Sequence, residues 1–278
     1  MENIKKNPLS LQLNADDFLP ASNEEKQSLV IMRESVNFWK DGLRRLKKNK
    51  IAMVSFVFII AIAIFAYLLP AVWPYSYAEQ VKGSNNLAPF EYSASEQARI
   101  DAGEKVFPHI LGTDRMGRDF AVRIMMGTRV SLSVGLIASV LVLIIGATYG
   151  AVSAFAGGWV DNILMRIVEI LSSVPNMLVI ILLSVILDSS SVPTLLFAMC
   201  VTGWCPIARL VRSQMLQISS SEYVMAAKVM GVKPLTSVVT HFIPNTLSVI
   251  IVNITFRIPG FIFSEAFLSY VGLGVQPP

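Results

Sequence analysis

The fold class is decided by the stretch Ile51–Leu69, which reads IAMVSFVFIIAIAIFAYLL. Its nineteen residues include Ser55 as the one ordinary polar side chain. A run of about twenty apolar residues is the length of a helix that crosses a bilayer. Pro70 ends the run, and the aromatic side chains that follow fit the belt of a membrane interface: Trp73, Tyr75 and Tyr77. The sequence therefore predicts an integral membrane protein built from helices.

The composition of the whole chain agrees with this class. Of the 278 residues, 54% are hydrophobic and 15% are charged, against averages of about half and a quarter in soluble domains. Five lysines and arginines between Arg44 and Lys50 directly precede the first apolar run, and such a cluster keeps the N-terminus in the cytoplasm. Further apolar runs predict four more spans: Val130–Ala156, Ile170–Leu187, Pro193–Ala208 and Thr246–Tyr270. Asp161 and Arg166 mark a short cytoplasmic turn after the second of the five spans, and Arg209 and Arg212 end the fourth.

These spans divide the chain into regions. Residues 1–50 are expected to form a cytoplasmic tail, in which 27–49 fit either a helix on the membrane surface or a helical extension of the first span. The first transmembrane helix occupies 51–70, and an extracellular loop occupies 71–129. A transmembrane core of 130–278 follows, with a cytoplasmic loop at 209–245.

Small and polar residues inside the spans mark positions of close packing or of a passage. Gly146 and Gly150 form a GxxxG pattern, which lets two helices approach closely. Pro175 predicts a kink in the third span, and the break fits a pore lining or a buried contact between helices. Arg257 and Glu265 lie eight residues apart in the last span, where each charge needs a partner or water. They either pair with each other or line the passage near the outer mouth. The candidate residues of a translocation path are Ser172, Asn176, Arg257 and Glu265.

A polar island interrupts the apolar runs at Ser219–Asn245, which reads SSSEYVMAAKVMGVKPLTSVVTHFIPN. Ser219 and Glu222 have the spacing of a capping box, and Gly231 is a residue type that closes helices. A helix of about two turns is too short to be stable alone in water. It is either a handle that lies in a partner's groove or an ordinary cytoplasmic loop with a helical turn.

Three motifs in this order resemble the permease subunits of ABC importers, in the dipeptide/oligopeptide (peptide/nickel) branch. The island contains Ala226-Ala227-x-x-x-Gly231 followed by Ile243-Pro244-Asn245, which is similar to the family's cytoplasmic coupling loop. The family usually has Glu before the two alanines, where this chain has Met225. The other motifs are Leu-Gly-Thr-Asp-x-x-Gly-Arg-Asp at 111–119 and Glu-Ala-Phe-Leu-Ser-Tyr-Val-Gly-Leu-Gly at 265–274.

The resemblance implies an architecture and a set of partners. The fold would be a type I ABC importer permease bundle, with five spans visible of an expected six, in a bacterial cytoplasmic membrane. The chain would carry no cofactor itself. It would act with a second homologous permease, two ATP-binding cassette subunits that bind ATP and Mg, and an extracellular binding protein that delivers peptide. The residues implied in coupling to the ATPase are Glu222, Tyr223, Met225, Ala226, Ala227 and Gly231.

Within the motif at 111–119, two interpretations remain open. Asp114, Arg115, Arg118 and Asp119 either pair among themselves as a structural knot at the membrane edge or contact substrate. The two glycines of the motif permit tight turns.

Other function classes fit less well. The sequence has no GxxxxGK[ST] phosphate loop and no nucleophile–base constellation, which favours a non-catalytic subunit. Two cysteines five residues apart and two distant histidines are not a metal-site pattern, and the basic cluster lacks the framework of a nucleic-acid binder. A nickel or small-solute importer is the alternative within the family. An ion-coupled secondary transporter, favoured only by Arg257 and Glu265, and a membrane-embedded enzyme are the alternatives outside it.

Overall fold

The computed structural model describes residues 38–187, 191–230 and 243–274. The regular secondary structure in these ranges is helical, apart from one isolated β-bridge between Thr113 and Asp119. The chain divides into two compact units, Met1–Ile60 and Ala61–Pro278. The expectation of an all-α membrane protein is confirmed.

The first unit contains a short polar helix and the beginning of an apolar one. Helix α1 (Phe38–Lys48) is followed by α2 (Lys50–Tyr67). Asn49 separates them, and its side-chain oxygen accepts a hydrogen bond of 3.2 Å from the Ala52 N–H, which satisfies one of the free donors at the start of α2. Residues 27–37 lie outside the described ranges, so the surface-helix interpretation stays a prediction.

The segment after α2 is an ordered, hydrogen-bonded structure with two short helices. These are α3 (Leu69–Val72) and α4 (Ala94–Asp101). Ser93 and Glu96 form a reciprocal capping box at the start of α4. Helix α5 (Phe120–Ala156) then begins at Phe120, inside the stretch 71–129 expected to be a loop, because Asp119 accepts the Val122 N–H at 2.9 Å and caps it.

Helix α5 is the central element of the second unit. Its 37 residues give a length of roughly 55 Å. A Cβ added at Gly146 would lie 2.7 Å from the Trp204 carbonyl oxygen, and one added at Gly150 would meet the carbonyl oxygen of Ala208. The close helix approach predicted from the GxxxG pattern is therefore confirmed.

Two of the predicted spans are sharply bent. Helices α6 (Gly158–Ser173) and α7 (Asn176–Ile186) meet at 78°, and helices α8 (Val192–Gly203) and α9 (Cys205–Ser219) meet at 43°. The first bend falls at Pro175, where the sequence predicted a kink.

The bounds of these bent spans differ from the prediction. The stretch around Asp161 and Arg166, predicted to be a turn, belongs to α6, and the fourth span continues past Ala208 to Ser219. In the sequence-based prediction, charged residues end the second and fourth spans. Asp161 remains helical because Arg212 of α9 donates to it at 2.6 Å, so the two charges neutralise each other between the helices.

The last helices are the short α10 (Glu222–Val229) and the long α11 (Ile243–Val271), which contains Pro259. Among the described residues, three helices are long and apolar enough to cross a membrane, or up to five if each bent pair is one span. The core of the second unit lies where α5, α8, α9 and α11 meet, and its buried side chains include Val134, Ala138, Val142, Met199, Ile207, Phe261 and Leu268.

Candidate functional site

The short helix predicted between the fourth and fifth spans is present as α10, but it starts differently from the prediction. Ser219 is the last residue of α9, and its hydroxyl donates to the Leu216 carbonyl at 2.9 Å. It therefore forms no capping box with Glu222. The carbonyl of Ser221 instead accepts the N–H groups of Val224 and Met225 at 3.1 and 3.0 Å.

Helix α10 is anchored on one side and open on the other. Val224 is fully buried and belongs to the core of the bundle. Met225 is 48% exposed and Val229, four residues on, is 88% exposed, so the two share an apolar face that the described residues leave uncovered. Tyr223, Ala226 and Ala227 are in the helix, but their side chains lie outside the description. Gly231 falls in 231–242, which also lie outside the described ranges.

Three of the four candidate path residues gather at the bend between α8 and α9. Asn176, at the start of α7, accepts a hydrogen bond of 2.5 Å from the hydroxyl of Thr202. Arg257 of α11 donates to the carbonyl of Gly203, the residue after Thr202, at 3.5 Å. Ser172, at the end of α6, lies beside the Cys205 thiol. The breaks of two bent helices and the arginine of a third therefore converge on residues 202–205.

The fourth candidate, Glu265, lies elsewhere along α11. It is buried and accepts hydrogen bonds from Ser131 of α5 at 2.6 Å and from Ser269 at 2.8 Å. Eight residues of helix separate it from Arg257, which is roughly 12 Å. Among the described residues the two form no ion pair, so the first of the two alternatives, that they pair with each other, is wrong. Hydroxyl groups, rather than an arginine, satisfy this carboxylate.

The motif at 111–119 forms a tight turn around Asp114. This carboxylate accepts from the Arg118 side chain at 2.8 Å and from Arg123 at 2.8 Å. Burial by itself raises the pKa of Asp114, but the N–H groups of Arg118 and Met116 and the Arg118 guanidinium hold it below the ordinary value. Gly112 and Gly117 have φ of +74° and +73°, as the turn requires.

The expected ion-pair knot is therefore confirmed in part. Asp114 and Arg118 do pair, but Asp119 bonds no arginine in the described part of the chain. It caps α5 and accepts from the Trp73 indole at 3.2 Å and contacts His109 at 2.8 Å. Arg115 contributes its backbone carbonyl to the Asn85 amide at 2.8 Å.

His109 is the residue that sequence reasoning missed. It is fully buried, with Nδ1 2.8 Å from an oxygen of Asp119 and Nε2 3.0 Å from an oxygen of Glu96. The Tyr75 ring stacks on it at 4.3 Å, and burial together with these carboxylates raises the pKa of Tyr75 to about 12. Among the described residues no group of three or more side chains fits a metal ion. This cluster ties α4, the turn and α5 together.

The sequence also matches known protein families and individual proteins. Residues 144–278 match the family of inner membrane components of binding-protein-dependent transport systems. Residues 37–89 match the N-terminal transmembrane domain of oligopeptide transport permease C. The oligopeptide transport system permease protein OppC of Bacillus subtilis is 38% identical over 278 residues, all of this chain and 83% of the relative.

Two further relatives carry dipeptide transport names. The dipeptide transport system permease protein DppC of Bacillus subtilis is 39% identical, over 92% of this chain and 75% of the relative. DppC of Lactococcus lactis is 34% identical, over 96% of this chain and 83% of the relative. The chain belongs to the binding-protein-dependent permease family. It is thus a multi-pass bacterial membrane permease, which agrees with the helices found and with the resemblance carried by its three motifs.

Proposed function

We propose that this permease is one of two membrane subunits of an ATP-driven importer of oligopeptides or dipeptides. The relatives named above are oligopeptide and dipeptide transport permeases, which favours peptides over nickel or another small solute. In this assembly a second homologous permease completes the path, and an extracellular binding protein delivers the peptide. Two ATP-binding subunits bind ATP and Mg, so this chain is not itself an enzyme.

The observation that carries the proposal is the open apolar face of α10. A helix of eight residues is too short to persist unsupported, and Val224 fixes only one side of it. Met225, Val229 and Met230 are left exposed at the end of the molecule where α9 leaves the bundle. A groove in an ATP-binding subunit would cover this face, and closure of two such subunits would pull on α9 and α11.

The charge pattern supports one orientation in the membrane. The basic cluster before α2 favours a cytoplasmic location for residues 1–50. Residues 71–129 then lie outside, and the loop 209–245 with α10 lies on the cytoplasmic side, within reach of soluble ATPases. The coupling contacts are assigned to Glu222, Tyr223, Met225, Ala226, Ala227 and Gly231.

The path is assigned to the side chains around the bend of α8 and α9. Arg257 lies fourteen residues from each end of α11, which is roughly 21 Å and supports a position near the middle of the bilayer. Ser172 and Asn176 supply polar atoms at the same level, and Glu265 lies toward the outer end. Arg257 and Glu265 each have a hydrogen-bond partner within the bundle, in Gly203 and Ser131.

A purification through a tag on this chain in mild detergent tests the proposal. We expect mass spectrometry to identify a second permease of this family and ATP-binding subunits in fixed ratio with the tagged chain. A matched variant, Met225→Arg, should lose the ATP-binding subunits and keep the second permease. Isolation of the tagged chain alone, in a stable form that moves solute without ATP, would contradict the assignment.

A further inference from the structure

A cavity of about 470 Å³ lies between the end of α2, the α3 region and the first turns of α5. Four of its twelve lining residues are aromatic, and two charged side chains, Glu79 and Arg129, also line it. The volume falls in the range of sites for small ligands. The aromatic lining residues are Tyr67, Trp73, Tyr75 and Tyr77.

The cavity lies at the level where hydrocarbon gives way to water. Tyr67 is the last residue of the apolar α2, and Arg129 directly precedes the uncharged run that starts at Val130. The Tyr67 hydroxyl is 2.7 Å from the hydroxyl of Ser133, and the Arg129 guanidinium lies 5.6 Å from the centre of the Tyr67 ring. The apolar parts of α2 and α5 therefore end side by side, and the cavity opens at the interface.

Arg129 is available for a ligand. Its side chain is exposed and makes no ion pair within the part of the chain that the structure describes. Arg123, one and a half turns earlier, differs because Asp114 already holds it at 2.8 Å. A guanidinium that stacks on a tyrosine keeps its N–H groups free for the oxygens of a phosphate.

Glu79 supplies the opposite charge. Its carboxylate accepts the Ser76 N–H at 3.1 Å, which fixes it at the cavity wall without a cationic partner among the described residues. The rings of tyrosine and tryptophan attract ammonium groups. The cavity therefore offers one place for an anion and a second place for a cation.

The cavity is turned away from the helices that carry the path candidates. Val122, Met126 and Arg129 are spaced by four and three residues and form one stripe on α5. Ser131, which donates to Glu265 of α11, lies two residues beyond Arg129, about 200° around the helix. A ligand in the cavity would reach it from the surrounding bilayer rather than from a passage along α11.

We propose that this cavity binds the headgroup of a zwitterionic phospholipid such as phosphatidylethanolamine. The phosphodiester oxygens accept from Arg129, and the ammonium lies among the aromatic rings beside Glu79. The acyl chains extend along the exposed apolar surface next to the cavity, at the end of α2, where Ile64 and Leu68 are exposed. Phosphatidylglycerol fits less well, because it offers no cation to Glu79.

Native mass spectrometry of the purified importer complex, loaded with phosphatidylethanolamine in defined detergent, tests this site. We expect one tightly held lipid per copy of this chain in the wild type. Arg129→Gln should weaken that binding by roughly ten- to a hundredfold, the range expected when a charged hydrogen bond is lost. Arg129→Lys keeps the charge but loses the planar guanidinium, so it should weaken binding less than Arg129→Gln does. Arg99→Gln, at an exposed arginine paired with Glu104, is the control and should bind as the wild type does.

Further measurements identify which molecule the cavity binds. Wild-type complex should hold phosphatidylethanolamine more tightly than phosphatidylglycerol, and Glu79→Gln should reduce that preference. Equal retention by the wild type and Arg129→Gln would overturn the proposal. So would displacement of the lipid by a millimolar tripeptide, because the cavity would then be a peptide site. Because the wild-type comparison of two lipids needs no variant, the proposal stays testable even if Arg129→Gln fails to assemble.

Discussion

At the scale of single residues, the buried cluster around His109 determines how the segment from residue 75 to residue 119 is held. Both ring nitrogens face carboxylates, at 2.8 and 3.0 Å, and all three side chains are buried. The ring is thus held from two sides, by Glu96 of α4 and by Asp119 at the start of α5.

His109→Ala should therefore strongly destabilise the segment from residue 75 to residue 119. Removal of one partner from a buried charged cluster costs about 3–5 kcal/mol. We expect faster proteolysis between residues 75 and 119 and a lower unfolding temperature for the purified protein. Replacement of exposed Lys105 by alanine is the control. If His109→Ala and Lys105→Ala were equally resistant to protease, the cluster would not hold the segment.

The pH dependence of stability should report the same cluster. Burial alone raises the pKa of Glu96, but hydrogen bonds from the Ser93 N–H, the Ser93 hydroxyl and His109 hold it below its ordinary value of 4.5. A carboxyl with a lowered pKa in the folded state stabilises the fold above pH 4.5 and loses that contribution as pH falls through the lowered value. Asp114 acts in the same direction.

Unfolding temperatures measured from pH 7 to pH 3 test this sign. The wild type should lose stability below about pH 4.5, and Glu96→Gln should be less stable at neutral pH and flatter with pH. Asp101→Asn, at an exposed carboxyl, should keep the wild-type profile. A Glu96→Gln profile parallel to that of the wild type would contradict the role given to Glu96.

At the scale of elements, the contact of α5 with α9 organises the bundle. Gly150 faces the Ala208 carbonyl so closely that any Cβ would collide with backbone, and backbone cannot move aside as a flexible side chain does. Gly150→Ala should cost about 1–3 kcal/mol. Gly127→Ala is a matched control in the same helix, with nothing within 4 Å of the added carbon, and should be neutral or stabilising by about 0.5–1 kcal/mol. Unfolding temperatures in detergent should separate the two variants, and equal values would disprove the packing argument.

The same scale explains what the sequence allowed us to predict. The positions of the spans could be predicted from apolar runs. The close approach of another helix to α5 could be predicted from Gly146 and Gly150, because both features depend on local composition. The angle of 78° at Pro175 did not follow, since a proline permits a break but the packing of α7 against α8 sets its size. The His109 cluster did not follow either, because its partners lie ten and thirteen residues away and no periodic pattern joins them. Asn176 and Arg257 can be predicted as site residues because they are polar groups in apolar spans. Their meeting at residues 202–205 could not be predicted, because it depends on the bends between α6 and α7 and between α8 and α9.

At the scale of the whole molecule, α10 is expected to pass force between the ATPases and the bundle. Ala227→Arg places a long charged side chain on this helix, and Gly231→Pro constrains the backbone just beyond it. Both should abolish transport while leaving membrane insertion intact. Ala102→Arg introduces the same side chain at an exposed outer position and should leave transport unchanged. Normal transport by both coupling variants would refute the role of α10.

The most direct measurement of the central claim is uptake of a labelled peptide by proteoliposomes that contain the purified complex. We predict uptake only with ATP on the cytoplasmic side and the binding protein on the outer side, and its loss in Ala227→Arg without loss of the protein from the membrane. Peptide uptake that continues without ATP, or by this chain alone, would contradict the account.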